Sequence, residues 1–211
     1  MEISTLLLWG GVIAGPLFIV TFLIEGALRE GYNPMRQPVS ALSIGRRGWV
    51  QQSNFFISSI LLLACAFGLS SMLQIYGGSL WGFLLIGIYG AGLFGAGIFV
   101  TDVGGAPGDI SKTVTRTRAG ILHDIFSTFV FVSLFAACFV FAHLFAVIGA
   151  YGWEIYSIVS GILYLCGFIL FARGFSPASR LAPIAGLLQR LTISLGAIWL
   201  ALILLRLILV L

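Results

Sequence analysis

Charge is scarce in this sequence. Only 9% of its 211 residues are charged and 60% are hydrophobic, whereas a soluble domain carries about 25% charged residues. Mean hydropathy is +1.11. A chain this small has too much surface to hide so many apolar side chains from water. That excludes a soluble enzyme, a nucleic-acid binder and a disordered chain. The single lysine, Lys112, lies in a polar stretch, so no retinal-type Schiff base forms within an apolar segment. The two histidines, His123 and His143, are 20 residues apart on one predicted helix. At that spacing they are separated by about 30 Å and cannot share a haem or a metal. Cys65, Cys138 and Cys166 fall in three apolar segments without C-x-x-C spacing, which reads as small buried hydrophobes. No P-loop is present, which excludes a self-contained ATP-driven pump. No cofactor and no metal are expected.

What the chain has instead is long apolar runs. A run of about 20 residues crosses a bilayer, and six occur, at 5–28, 54–76, 80–101, 121–148, 155–172 and 184–210. The expected fold is an all-α, single-domain, six-helix transmembrane bundle spanning 1–211, built as three hairpins. The first span has no basic region before it and no small-residue cleavage site after it, so it reads as a retained helix. Three longer loops, at 29–50, 102–119 and 173–182, hold Arg29, Arg36, Arg46, Arg47, Lys112, Arg116, Arg118, Arg173 and Arg180. The other side has Glu2 and Glu154 and only Arg206, near the end of span 6, among basic residues. The positive-inside rule then places these loops in the cytoplasm and both termini outside, in a bacterial inner membrane. Trp9, Trp81 and Trp153 mark the outer interface and Trp49 the inner one. The net charge of +4 reflects this topology and attraction to anionic membrane lipids, with no nucleic-acid partner.

A threefold pattern runs through the spans. Gly48-Trp-Val-Gln-Gln52, Gly120-Ile-Leu-His-Asp124 and Gly186-Leu-Leu-Gln-Arg190 open the even-numbered helices alike. Glu25-Gly26, Asp102-Val-Gly104 and Arg173-Gly174 close the odd-numbered ones, with Pro34, Pro107 and Pro177 in the loops that follow. Glycine after the charge suits a helix C-cap, and glycine before the polar pair permits a tight entry. Chance similarity is the alternative, since apolar sequences repeat easily. Span 3 is the most glycine-rich, with Gly82, Gly87, Gly90, Gly92, Gly95 and Gly97. Its small-xxx-small spacing suits close packing and predicts a central position in the bundle. Gly11 and Gly15 on span 1 offer a second close contact.

Ionisable groups at membrane depth invite a functional reading. Glu25, Asp102, His123, Asp124 and Arg190 all map to the same ends of their spans, with Gln51, Gln52, Asn54, Ser127, Thr128, Gln189 and Thr192 at similar depth. Converging hairpins would bring them to one polar cavity. A histidine and a carboxylate at one depth exchange protons readily, so Asp102 and His123 are expected to pair. The plain alternative is that such charges cap helices or lock them together. Ser40 and Ser43, in Gln37-Pro-Val-Ser-Ala-Leu-Ser-Ile-Gly45, are either turn formers or, in a re-entrant loop, a nucleophile or headgroup ligand. No G-x-S-x-G elbow accompanies them.

Gln37-Pro-Val-Ser-Ala-Leu-Ser-Ile-Gly45, Thr101-Asp-Val-Gly-Gly105 and Gly120-Ile-Leu-His-Asp124 together resemble a bacterial family of small six-helix membrane proteins. It is known only as domain of unknown function nine-nine-eight. The resemblance covers nearly the whole chain. It implies a six-helix membrane protein and no particular activity, and it adds emphasis to Ser40, Asp102 and His123. Three functions stay open. The cavity binds a lipid headgroup or small solute, through Glu25, Gln51, Asp124, Ser127, Gln189 and Arg190. Alternatively, the protein is a lipid hydrolase or transferase with His123, Asp102 and Ser40 as catalytic groups. As a third option, it is an accessory subunit without chemistry of its own.

Overall fold

A computed structural model describes residues 3–75, 80–102, 116–176 and 178–210, the side chains of 72–75 and 210 excepted. Six helices follow one another: α1 (Ile3–Leu28), α2 (Gly48–Ile75), α3 (Leu80–Ile98), α4 (Arg118–Val147), α5 (Tyr151–Gly174) and α6 (Ala185–Val210). All six are long and apolar enough to cross a membrane. Helices are what such a chain must form, because hydrocarbon offers no partner to an unpaired N–H or C=O. Two short 3₁₀ turns, Val39–Ser43 and Ala182–Ile184, precede α2 and α6, and no strand occurs among the described residues. The polar starts of the predicted spans are helical too. α2 begins at Gly48 and α4 at Arg118, ahead of the apolar runs that mark them.

The helices form a ring. Each packs on the next in chain order, and α6 closes onto α1. This corrects the central place expected for the glycine-rich helix. α3 is one stave of the ring, held between α2 and α4. Its glycines serve both neighbours: a Cβ at Gly90 would meet Leu63 of α2, and one at Gly92 or Gly95 would meet Val130 or Phe126 of α4. Close approach is confirmed, but it is lateral. The contact expected on α1 is also present, with Gly11 against Cys65 and Leu204 and Gly15 against Ala197. Lipid-facing positions carry exposed Ile13, Val20, Leu23, Ile60, Phe129, Ile162 and Ile198.

The two ends of the ring are filled differently. Where α1 begins and α6 ends, here called the far end, Leu8, Leu69, Phe141, Phe145, Trp199, Ile203 and Leu204 are wholly buried. Trp199 Nε1 donates to Ser157 Oγ at 3.2 Å. At the other end, the loop end, residues 29–47 turn back under the ring. Gly31 and Gly45, at φ +72° and +79°, make the two bends that L side chains resist. Between them the turn Val39–Ser43 packs on α1, α2 and α6 and buries Val39 and Leu42.

The glycines before the polar pairs have a common physical role. A Cβ at Gly48 would meet the Ser43 carbonyl oxygen at 2.1 Å, and one at Gly120 the Asp102 carboxylate at 2.1 Å. At Gly186 it would meet the carbonyls of Gln37 and Pro34 at 2.5 and 2.6 Å. Each even helix thus opens by admitting a loop oxygen to its first turn. The glycines after the charges differ from expectation. Gly26 lies inside α1 under the Tyr32 ring, and Gly174 meets Ala185. Neither has the positive φ of an αL cap; both are small for packing. Gly104, Pro107, Pro177 and Lys112 lie outside the described residues.

Candidate functional site

The polar residues of the loop end divide into locks and lining. Glu25 is a lock. It is 2% exposed, and its carboxylate accepts from Arg29 at 2.7 and 3.1 Å and from Arg47 at 2.6 and 3.1 Å. Arg29 also donates to the carbonyls of Ile44 and Leu42 at 2.6 and 2.9 Å. One carboxylate in α1 thus fixes both ends of the re-entrant segment. Arg190 of α6 is the second lock. Its Nη1 donates to Pro34, Gln37 and Gly186 carbonyls at 2.7, 2.9 and 2.9 Å, and Nη2 bonds the Tyr32 hydroxyl. The guanidinium lies over the Phe22 and Tyr32 rings, a cation–π setting. Burial beside it raises the Tyr32 phenol above its usual range. Gln51 is likewise interior and outside the lining. Its Oε1 accepts from Asn54 Nδ2 at 3.4 Å, and Gln51 Nε2, Asn54 Oδ1, Ser43 Oγ and Ser58 Oγ have no protein partner.

The lining surrounds a recess of about 470 Å³ at the loop end. Ser40, Asp102, His123, Asp124, Ser127 and Gln189 of the expected site residues all face it. They come from four separate stretches of chain. Glu25, Gln51 and Arg190 are not among its walls, because their polar atoms are turned to the re-entrant segment or to α2. Phe131, Phe168, Phe171 and Phe175 make the aromatic part of the lining. The sequence signal for part of this wall is Phe168 and Phe171, at i and i+3 on one face of α5, with Phe175 one residue past its end. Arg116 also reaches the recess and pairs with Asp124 at 2.9 Å.

Asp102 and His123 do not hydrogen-bond each other. Each caps the other's helix. His123 Nδ1 donates to the carbonyls of Ala96 and Phe99 at 3.1 and 2.8 Å. These are acceptors left open where α3 ends. Asp102 accepts from the Thr117 hydroxyl at 2.5 Å and from Thr117 N at 3.1 Å, where α4 starts. Thr117 Oγ1 in turn accepts from Gly120 N at 3.0 Å. The Thr117 hydroxyl, with its backbone N–H and Arg116 adding, holds the Asp102 carboxyl below the usual carboxylate range. Carbonyl oxygens only accept, so Nδ1 carries the His123 proton and Nε2 is the ring nitrogen left for the recess. No hydrogen bond ties up the Ser40 or Ser127 side chain among the described residues.

The recess continues inward. A second cavity of about 60 Å³ shares Ser40, His123, Ser127, Phe131 and Gln189 with it. Below that collar the walls are Phe18, Val39, Phe55, Tyr89, Leu93, Ala96, Val130, Tyr164 and Ile193. A third void of about 10 Å³ shares Phe18, Tyr89 and Leu93 and ends against Leu62, Ala197 and Leu200. The hollow therefore narrows from a polar mouth to a largely apolar inner end. There Ser58, its hydroxyl without a partner among the described residues, is the one hydroxyl besides Tyr89 in the lining of the third void.

No group of three or more metal-ligating side chains occurs among the described residues. The chain belongs to the family described as protein of unknown function (DUF998), whose model matches residues 12–206. No curated protein and no solved structure matches it.

Proposed function

We propose that this member of the family binds a small solute or lipid-like molecule, polar group first recognised, in the recess at the loop end. The observation that carries this is the convergence of Ser40, Asp102, His123, Asp124, Ser127 and Gln189 on one hollow faced by four phenylalanines. Its volume lies in the range of small-molecule sites, about 300–1,000 Å³, and its mix of apolar wall and few polar groups is what such sites use. Nine basic residues in the loops support a cytoplasmic loop end in a bacterial plasma membrane, with membrane lipids as neighbours. Native mass spectrometry of the whole chain, released from membrane fragments, tests the binding. The wild type is expected to carry a bound mass that Ala172→Trp, which fills the recess, removes and that Val147→Trp, at the far end, keeps. A wild type without bound mass, or Ala172→Trp retaining it, overturns the proposal.

A hydrolase or transferase reading draws on one specific arrangement. The Nδ1 bonds to α3 fix the His123 tautomer and leave Nε2, Ser40 and Ser127 free at the collar. Nε2 would accept the Ser40 hydroxyl proton as that oxygen attacks an ester carbonyl and return it to the departing alcohol as the ester C–O bond breaks. Water or a second alcohol would then release the acyl group from Ser40. Backbone carbonyls, in place of Asp102, would orient the ring. His123→Gln separates the two readings: turnover lost with bound mass kept favours the enzyme, and bound mass kept with no turnover in either form favours binding alone.

A further inference from the structure

The hollow is layered, and its layers specify an occupant. The collar of Ser40, His123, Ser127 and Gln189 contains no permanently charged side chain. Gln189 Oε1 already accepts from Val39 N at 2.9 Å, which leaves its amide N–H₂ to donate. Two free hydroxyls, one donor amide and one imidazole nitrogen suit a neutral group that both donates and accepts. The charged side chains Asp102, Arg116 and Asp124 line the outer recess and not the chamber, so a charge carried into the chamber would go without a partner, which is costly away from water. Directly beneath, the chamber of about 60 Å³ is apolar except for the hydroxyls of Tyr89 and Tyr164. Its inner walls Phe18, Tyr89 and Leu93 also line the third void of about 10 Å³.

We infer that the ligand is an amphiphile with a short apolar terminus, inserted terminus-first into the chamber beneath His123. A neutral hydroxyl, ester or amide group sits at the collar, and the remainder lies along the phenylalanine wall. This rests on the binding proposed above and narrows its ligand class. A two-chain lipid held only by its headgroup would leave the chamber unused. So would a solute hydroxylated on every carbon, because the chamber offers its far carbons no donors or acceptors beyond the two phenols.

The test uses the whole chain in lipid nanodiscs with 3-fluorotyrosine, reading the six tyrosines by fluorine NMR. Tyr89→Phe and Tyr164→Phe assign the two chamber resonances. The probe is 1-butanol, with glycerol as the fully hydroxylated comparison. 1-Butanol is expected to shift the Tyr89 and Tyr164 resonances saturably, leaving Tyr32, Tyr151 and Tyr156 in place, and glycerol to shift neither. Ala96→Leu fills the chamber and is expected to remove the response; Ile193→Phe fills it from α6 and serves if the first variant does not fold. Glycerol acting as 1-butanol does would show a hydrated chamber and overturn the inference. A 1-butanol shift surviving both variants, or no shift in the wild type, would also overturn it. The bound mass seen by native mass spectrometry separates the two levels. If it persists in Ala96→Leu while 1-butanol never acts on the wild type, the recess binds and the chamber does not. If it is absent throughout, the recess proposal itself fails.

Discussion

The two ends of the ring solve the same packing problem in opposite ways. At the far end, helices meet mainly through apolar side chains, with the Trp199–Ser157 hydrogen bond among them, and Trp199, Phe141, Phe145, Ile203 and Leu204 leave little space. At the loop end the same helices are held apart by an inserted segment. Polar atoms there satisfy the segment's backbone, and a hollow remains beside it. Helices in lipid gain little from burying apolar surface against each other. Shape alone can therefore close one end, while an irregular segment at the other end needs a partner for every carbonyl it brings in. The polar residues of Glu25 and Arg190 are the cost of the insertion, and the recess is its consequence.

The largest test of this contrast removes a lock. Arg190→Met removes one donor from three carbonyls and from the Tyr32 hydroxyl, which keeps its own bond to the Pro38 carbonyl, and is expected to destabilise the chain by about 3 kcal/mol. Unfolding in mixed micelles measures it, and a cysteine placed at residue 42, where Leu42 is wholly buried, becomes open to thiol reagents only in this variant. At the far end Trp199→Ala is expected to cost about 3 kcal/mol through the void it leaves. The same unfolding assay reads it, and recess binding should not change. If the Trp199 variant instead empties the recess while the Arg190 variant does not, the division between the ends is wrong.

Smaller effects sharpen the loop end itself. Gly120→Ala places a methyl on the Asp102 carboxylate and Thr117→Val removes its main donor. Each should lower the unfolding midpoint by less than Trp199→Ala does, and the double variant by less than the sum, because both break one cap. The smallest effect is on titration. The folded Asp102 lies below its ordinary range, so its cap is fully present above the unfolded value of about 3.9 and is lost as pH falls through the lowered one. Carboxyl carbon NMR should show Thr117→Val moving that titration upward; an unchanged value would remove Thr117 as the cause.

The six helices were legible because apolar length is a direct consequence of crossing hydrocarbon. The recess was legible in part, because Asp102, His123, Asp124, Ser127 and Gln189 map to matching depths, while Ser40 stood out only through its loop motif. Depth, however, says nothing of rotation. Glu25 and Arg190 share that depth but turn toward residues 29–47, whose inward fold no periodicity announces. The same limit explains α3. Glycines signal close approach, and only the order of helices around the ring shows that the approach is to two neighbours and not to all. Asp102 and His123 were expected to pair with each other; both line the recess, but their bonds go to helix ends. Backbone acceptors carry no signature in a sequence.

On the reading proposed above, the loop-end recess holds a ligand whose polar group meets the collar. The most direct measurement is an experimental structure of the full chain purified from its native membrane without delipidation. Continuous non-protein density is predicted between Phe171 and the collar of Ser40, His123, Ser127 and Gln189, reaching into the chamber at Tyr89. A recess holding only ordered water, with all such density confined to the outer lipid-facing surface, would contradict it.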